Sequence, residues 1–190
     1  FLQFMNEPAI TSNDIVMLGN SLTEGGGDWG KRLGKDNVIN RGISGDVAMG
    51  IYDRLHQILP GKPKQIFLLI GVNDISHDLS TDSIVQMIEK NVTRIQRESP
   101  ETKLYLQSLL PIDESFNRYK KLTNKTYQIP EINDRLKALA KEKKIDFIDL
   151  YPLFTEKGTN VLRKELTYDG LHLKEEGYKI WVDAIKKKMK

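Results

Sequence analysis

The fold is decided around residues 14–27, which read DIVMLGNSLTEGGG. The apolar run Ile15–Leu18 is short, starts with β-branched residues and is closed by Gly19, so it predicts a buried strand. Ser21 follows two residues later. At the carboxyl end of a strand in an open parallel sheet, side chains face the crevice where ligands bind. The position of Ser21 therefore suits a nucleophile.

Strand-like and helix-like segments alternate along the rest of the chain. Short apolar runs predict strands at Ile15–Leu18, Val38–Asn40, Gln65–Ile70, Lys103–Ser108 and Ile145–Leu150. Apolar residues at helical spacing predict helices at Val47–Leu59, Asp82–Arg97, Pro130–Lys143 and Lys174–Lys188. This alternation predicts an α/β fold, a three-layer α/β/α sandwich around a parallel sheet of about five strands. Because no linker or repeat interrupts it, we expect residues 1–190 to form a single domain.

The composition argues against several classes of protein. The 190 residues include 29 Lys and Arg against 26 Asp and Glu, for a formal net charge of +3, and the lysines are dispersed among acids. We therefore expect no nucleic-acid partner. No apolar run approaches the roughly 20 residues of a transmembrane helix. The absence of cysteine removes thiol nucleophiles, zinc–thiolate sites and disulfides, but it does not identify a compartment.

The chain begins at Phe1 rather than at methionine. We expect that an upstream segment has been removed, by processing or by cloning. A secretory signal would be one such segment, and it would place the protein outside the cell or in the periplasm.

Ser21 considered alone is better explained as the N-cap of the next helix, a common role for serine after a strand. It does not lie in a G-x-S-x-G motif, because position 23 is threonine. Gly19 would allow a sharp turn, and the glycines at 25–27 would let a substrate approach the backbone.

A serine nucleophile needs a base and a carboxylate that orients the base. Each histidine has an aspartate three residues earlier, which gives the pairs Asp53–His56, Asp74–His77 and Asp169–His172. Spacing alone cannot select among these pairs, but context favours the last. Leu171 and Leu173 flank His172 and can hold its loop on the core, whereas His56 falls on an exposed helix face and His77 in a polar stretch.

Acyl transfer also needs hydrogen-bond donors for the developing oxyanion. Asn40–Asp46 follows the second predicted strand and offers the backbone N–H of Gly45. Gly71–Asp74 follows the third and offers the side-chain amide of Asn73. Each segment alone contains ordinary turn residues. Three consecutive strands that all end in such loops are a stronger joint signal.

Together, these segments resemble the SGNH (GDSL-type) esterases and acylhydrolases. The matching blocks are Gly19–Leu22, Ser44–Asp46, Gly71–Asp74 and Asp169–His172, in the family's order and at its spacing. The resemblance covers about Asp14 to Tyr178 and implies the SGNH hydrolase fold with its flavodoxin-like sheet. One position departs from the family pattern: Asn20 stands where the family usually has aspartate, and we expect the loop geometry to survive this change.

The resemblance implies a role for each matching residue. Ser21 would be the nucleophile, His172 the base and Asp169 the carboxylate that orients it. The backbone N–H groups of Ser21 and Gly45 and the Asn73 amide would form the oxyanion hole. No metal or organic cofactor is implied.

The implied activity is a serine esterase that hydrolyses carboxylic esters of small molecules. A compact chain favours short acyl groups, such as O-acetyl groups on carbohydrate or on a small lipid-like alcohol. We expect a monomer or a weak homodimer. The irregular stretch Pro111–Gln128 carries aromatic and cationic residues and is either a surface excursion or a lid beside the site.

Two other classes of function stay open at this point. A flavodoxin-like module could bind phosphate or nucleotide at a helix N-terminus through Ser21, Thr23 and the glycines, without hydrolase activity. It would leave Asn73, Asp169 and His172 without a role, and the P-loop pattern is absent. The other class is a catalytically silent adhesion or scaffold domain.

Overall fold

The computed structural model describes residues 1–189. Within them, the strands are β1 (Ile15–Gly19), β2 (Val38–Gly42), β3 (Gln65–Leu69), β4 (Lys103–Gln107) and β5 (Asp146–Ile148). The α-helices are α1 (Leu2–Met5), α2 (Ser21–Glu24), α3 (Trp29–Leu33), α4 (Ala48–Arg54), α5 (Val72–Ser76), α6 (Thr81–Glu98), α7 (Gln128–Lys143), α8 (Tyr151–Phe154) and α9 (Glu175–Ile185). Short 3₁₀ turns lie at Leu55–Gln57, Leu59–Gly61, Glu114–Phe116, Lys120–Leu122, Lys164–Leu166 and Lys186–Lys188.

All the strands run parallel, in the order β2-β1-β3-β4-β5. The expected α/β architecture is confirmed, and each predicted strand is present with bounds that shift by one or two residues. The predicted helix Val47–Leu59 is too long, because α4 ends at Arg54 and 3₁₀ turns follow. Pro60 accounts for the last part of this difference, since the residue before a proline, here Leu59, is disfavoured in the α conformation.

Two cores cover the two faces of the sheet because successive strand residues point to opposite sides. On one face, Val16 and Leu18 of β1 pack with the apolar stripes of α4, α6 and α7. On the other face, Ile15 and Met17 pack with Trp181 and neighbouring residues around α3 and α9. All five residues of β1 are buried, as expected of a central strand covered on both sides.

The register of the central strands sets the position of the site. Gly19 at the end of β1 lies opposite Gly42 at the end of β2 and Leu69 at the end of β3. The three loops that follow therefore leave the sheet side by side at one edge. No helix within residues 1–189 combines the length and the apolar character needed to span a membrane.

Candidate active site

Ser21 is the first residue of α2, and its neighbour Asn20 is the N-cap. The Oδ1 atom of Asn20 accepts a hydrogen bond from the Leu22 backbone N–H at 3.0 Å. The alternative in which Ser21 caps the helix is therefore wrong, and its hydroxyl is left for another partner. Asn20 is fully buried, and its cap uses a side-chain oxygen, which an aspartate would equally provide.

Ser21 lies at one end of a chain of hydrogen bonds. Its Oγ is 3.0 Å from Nε2 of His172, a residue 151 positions away in sequence. On the other side of the ring, Nδ1 of His172 is 2.7 Å from Oδ2 of Asp169. With the proton on Nδ1 donated to the carboxylate, Nε2 can accept the hydroxyl proton of the serine.

The carboxyl of Asp169 is held in its ionised form. Burial raises its pKa, but hydrogen bonds from His172, Tyr119 and the backbone N–H groups of Leu171 and His172 outweigh burial and lower the pKa to about 2. The two backbone bonds reach Oδ1 at 2.9 and 2.7 Å, which leaves Oδ2 for the imidazole. Asp169 can therefore orient the ring and stabilise its cationic form.

The loop that carries His172 is tied to the core. Leu171 and Leu173 are both buried, as the sequence predicted. The hydroxyl of Thr167 donates to the His172 carbonyl at 2.6 Å and accepts from the Gly170 N–H at 2.9 Å. These contacts fix the backbone on both sides of the ring, which a base needs for its position to be well defined.

The loops after β2 and β3 bring two further donors to the pocket of Ser21. Gly45 lies at the third position of a turn closed by the Asp46 N–H and the Ile43 carbonyl, with φ of +82°, a conformation that favours glycine. The Asn73 amide donates one hydrogen to the Asp46 carbonyl at 2.9 Å, which leaves its second N–H unused by that bond. Ser21, Gly45 and Asn73 all line the same pocket.

Arg54 connects the end of β1, strand β2 and the loop after β2. This role was not predicted from the sequence. The Arg54 guanidinium binds the carbonyls of Gly19 and Arg41 at 3.0 and 2.9 Å and the carboxylate of Asp46 at 2.9 Å. The side chain is buried. Its spacing of three from Ile51 places a cation on an otherwise apolar helix face, and this was the available signal.

Tyr119 was also missed. Its hydroxyl donates to Oδ2 of Asp169 at 2.7 Å and lies 3.0 Å from Nδ1 of His172. Burial, together with the neighbouring Asp169 carboxylate, raises the pKa of Tyr119 to about 12, so the hydroxyl keeps its proton. Of the two alternatives for Pro111–Gln128, the structure therefore favours the one that places this segment beside the site.

The pocket has a volume of about 640 Å³. It is lined by the loops after β1, β2 and β3, by residues 118–122 and by Leu171 and His172. The glycines at 25–27 do not line it. A Cβ on Gly25 would lie 2.5 Å from the Tyr178 hydroxyl, and one on Gly26 would lie 2.3 Å from the Trp29 ring. The expectation that these glycines make room for a substrate is therefore wrong at positions 25 and 26, where they allow close packing.

The other histidines lie apart from Ser21. His56 is exposed, and its Nδ1 is 2.8 Å from the Asp53 carbonyl oxygen, not from the Asp53 carboxylate. His77 is exposed at the end of α5. The carboxylate of Asp74 instead accepts the Ala48 N–H, and burial raises its pKa to about 6. Within residues 1–189, no cluster of three or more histidines and carboxylates is arranged to hold a metal ion.

Known proteins resemble this chain in sequence and in structure. A sequence model of the GDSL-like lipase/acylhydrolase family matches residues 17–180. A GDSL-like lipase of Bacteroides thetaiotaomicron superposes with a TM-score of 0.86 at 25% identity, over 99% of this chain and 94% of that one. The acetyl xylan esterase AlAXEase superposes with a TM-score of 0.76 at 22% identity, over 93% of this chain and 100% of that one.

A longer, curated protein also matches the chain, but over only part of its own length. N-acylneuraminate cytidylyltransferase of Escherichia coli is 26% identical over 177 residues, which are 91% of this chain. The chain spans only 39% of the length of that protein. The family match, by contrast, covers most of the chain and includes the loops that carry Ser21, Gly45, Asn73 and His172. The chain therefore belongs to the GDSL-like lipase/acylhydrolase family and is a carboxylic ester hydrolase.

Proposed function

We propose that the protein removes short acyl groups, such as O-acetyl groups, from a carbohydrate or a small lipid-like alcohol. Ser21, His172 and Asp169 act as a catalytic triad in this reaction. The observation that carries the proposal is the unbroken line of hydrogen bonds from Ser21 Oγ through His172 to Asp169, which opens onto the pocket. No other histidine among residues 1–189 is within hydrogen-bond distance of the Ser21 hydroxyl.

Acylation begins when the Ser21 oxygen attacks the ester carbonyl carbon. Nε2 of His172 takes the hydroxyl proton as the new C–O bond forms, and Asp169 stabilises the resulting imidazolium. The bond to the alcohol then breaks, and His172 gives its proton to the departing alkoxide. The products of this half-reaction are the free alcohol and an acyl-Ser21 ester.

The negative charge on the carbonyl oxygen needs donors that are already in place. The backbone N–H groups of Ser21 and Gly45 and the free N–H of the Asn73 amide serve this purpose. Arg54 links the loops after β1 and β2, because it binds the backbone of both strands and the side chain of Asp46, and the Asn73 amide joins the loop after β3 to them through the Asp46 carbonyl.

Deacylation repeats the chemistry with water as the nucleophile. His172 takes a proton from water, the hydroxide attacks the acyl carbon, and the bond to Ser21 breaks as the serine oxygen recovers a proton from His172. The sum is one ester and one water consumed, with one carboxylic acid and one alcohol formed.

The side chains that line the pocket favour a short acyl group. Ser44, Gly45, Asn73 and Ser76, which are small or polar, line it together with Ser21. Leu122 and Leu171 are the aliphatic side chains of the lining, so a long acyl chain would find few aliphatic partners. The similarity in fold to an acetyl xylan esterase is consistent with this preference.

A chain-length series of p-nitrophenyl esters tests the proposed substrate class. We expect kcat/KM to be highest for the acetate and to fall by about 10-fold or more at the octanoate, because the pocket offers the added methylenes few aliphatic side chains to pack against. The Ser21→Ala variant supplies the background rate for every ester. A flat or rising series would contradict the short-acyl preference, and a series at background throughout would contradict the esterase activity.

A further inference from the structure

The pocket has an unbalanced charge. The lining includes Arg118, Lys120 and Lys121. No aspartate or glutamate among residues 1–189 belongs to it. The whole chain, in contrast, has nearly equal numbers of basic and acidic residues. Three cationic residues therefore line the same pocket as Ser21 and His172, and no acid among residues 1–189 lines it with them.

These three cations are not engaged elsewhere. Within residues 1–189, none of them forms an ion pair, whereas Lys125, further along the same segment, pairs with Asp78. Lys121 lies near enough to Asp78 to help lower the pKa of that carboxyl, after the larger effect of Lys125. Asp78 itself is outside the pocket lining.

Residues 118–122 belong to a longer segment that is held in place by hydrogen bonds on both sides of them. The Asp113 N–H donates to the Gly170 carbonyl at 2.8 Å, and Leu122 is buried. Glu114 accepts from the Asn124 N–H and from the Thr126 hydroxyl, so its carboxylate is used inside the segment. The exposed cations that line the pocket therefore belong to a segment with a well-fixed backbone.

We propose that the alcohol part of the substrate carries an anionic group, a carboxylate or a phosphate, which Arg118, Lys120 and Lys121 bind while Ser21 attacks the acyl carbon. This proposal rests on the proposed function and names its substrate class. The guanidinium of Arg118 can bind two oxygens of such a group, and the lysines add charge without a fixed geometry. Hydrolysis breaks only the ester bond, so the anionic group leaves unchanged with the alcohol.

The test compares matched sugars that differ in charge. Acetylated glucuronate and acetylated glucose 6-phosphate are the anionic substrates, and acetylated glucose is the neutral one. We expect kcat/KM for the preferred anionic sugar to exceed that for the neutral sugar by about 10-fold or more. The variant R118Q/K120Q/K121Q should lose this preference, and the two anionic substrates distinguish carboxylate from phosphate.

The control variant K186Q/K187Q/K188Q removes the same charge at the opposite edge of the sheet, where the Lys188 carbonyl accepts from Gln65 at the start of β3. It should keep the preference. A wild-type preference of one or less, or a preference that survives in R118Q/K120Q/K121Q, would overturn the proposal. If R118Q/K120Q/K121Q fails to fold, the salt dependence of the wild-type enzyme provides the test. The preference of the wild type for the anionic sugar must then fall as NaCl rises from about 20 to about 500 mM.

Binding separates this proposal from the proposed function. Unacetylated glucuronate, glucose 6-phosphate and glucose can be titrated into wild-type protein by calorimetry. Tighter binding of an anionic sugar than of glucose supports the anion site even when no ester is hydrolysed. Equal binding of all three sugars, with p-nitrophenyl acetate still hydrolysed, would overturn the anion site and leave the esterase activity intact.

A separate observation concerns Tyr119. Its hydroxyl shares Oδ2 of Asp169 with the imidazole of His172, at distances of 2.7 Å for each of these two contacts. We infer that Tyr119 is a positioning residue, which fixes the Asp169 carboxylate and moderates its negative charge. Tyr127 belongs to the same irregular segment, is exposed and lies outside the pocket lining, so it provides the matched comparison.

Tyr119→Phe keeps the ring and removes the hydroxyl. We expect kcat for p-nitrophenyl acetate to fall by about 10-fold with little change in KM. The acidic limb of the pH–rate profile should move to higher pH, because the Asp169 carboxylate, without the hydrogen bond from Tyr119, attracts the protonated imidazole more strongly. Tyr127→Phe should change neither quantity. An unshifted acidic limb in Tyr119→Phe would overturn the inference, whatever its effect on stability.

Discussion

Replacement of Ser21 by alanine is expected to reduce kcat for p-nitrophenyl acetate by about 10⁴-fold or more, because removal of a nucleophile leaves only binding and oxyanion stabilisation. The fold should survive, since among residues 1–189 the Ser21 hydroxyl bonds to His172 alone and the N-cap of α2 is Asn20. Circular dichroism and thermal unfolding would check the fold, and initial rates would check the activity.

A fluorophosphonate probe gives a second measurement of the same residue. Wild-type protein should be labelled at Ser21, and Ser21→Ala should not be labelled. Ser115→Ala is the matched control, since Ser115 is exposed and lies outside the pocket lining. Substantial activity in Ser21→Ala, or labelling of that variant, would exclude the proposed nucleophile.

His172→Ala should have an effect of similar size, about 10⁴-fold or more on kcat, because Ser21 would lose its proton acceptor. Added imidazole should restore part of the rate if a base is what the variant lacks. The measurement is kcat/KM across a series of imidazole concentrations, compared with the same series for Ser21→Ala, which should not respond.

His77→Ala and His56→Ala are the controls for this substitution. Both side chains are exposed, and we expect kcat within about threefold of wild type for each. A large loss in His77→Ala together with a small one in His172→Ala would transfer the role of base to the other Asp-x-x-His pair. That result would also remove the main support for the proposed mechanism.

The sheet and the four motif loops were predictable because their signals are local. An apolar run such as Ile15–Leu18 predicts a buried strand without knowledge of its neighbours, and parallel strands bring their carboxyl ends to one edge. The choice of His172 over His77 was also local, since it rested on the flanking leucines. The structure places those leucines in the core.

The missed features depend on distant contacts. Arg54 binds residues 8 to 35 positions away, and Tyr119 reaches Asp169 across 50 positions from an irregular segment without periodicity. Gly25 was misinterpreted for the same reason, because Tyr178 of the distant helix α9 fills its space, whereas Gly26 packs against Trp29, which is close in sequence. A pattern along the chain cannot reveal such contacts, because they form only when the fold brings the residues together.

The segment between β4 and α7 combines two contacts that are commonly found on separate parts of an enzyme. It contains the tyrosine that touches Asp169, and it contributes the cations that line the pocket. An insertion or a replacement here during evolution would alter the choice of substrate and the rate of turnover in one event. Relatives that differ in this segment are therefore expected to differ in substrate choice and in turnover rate together.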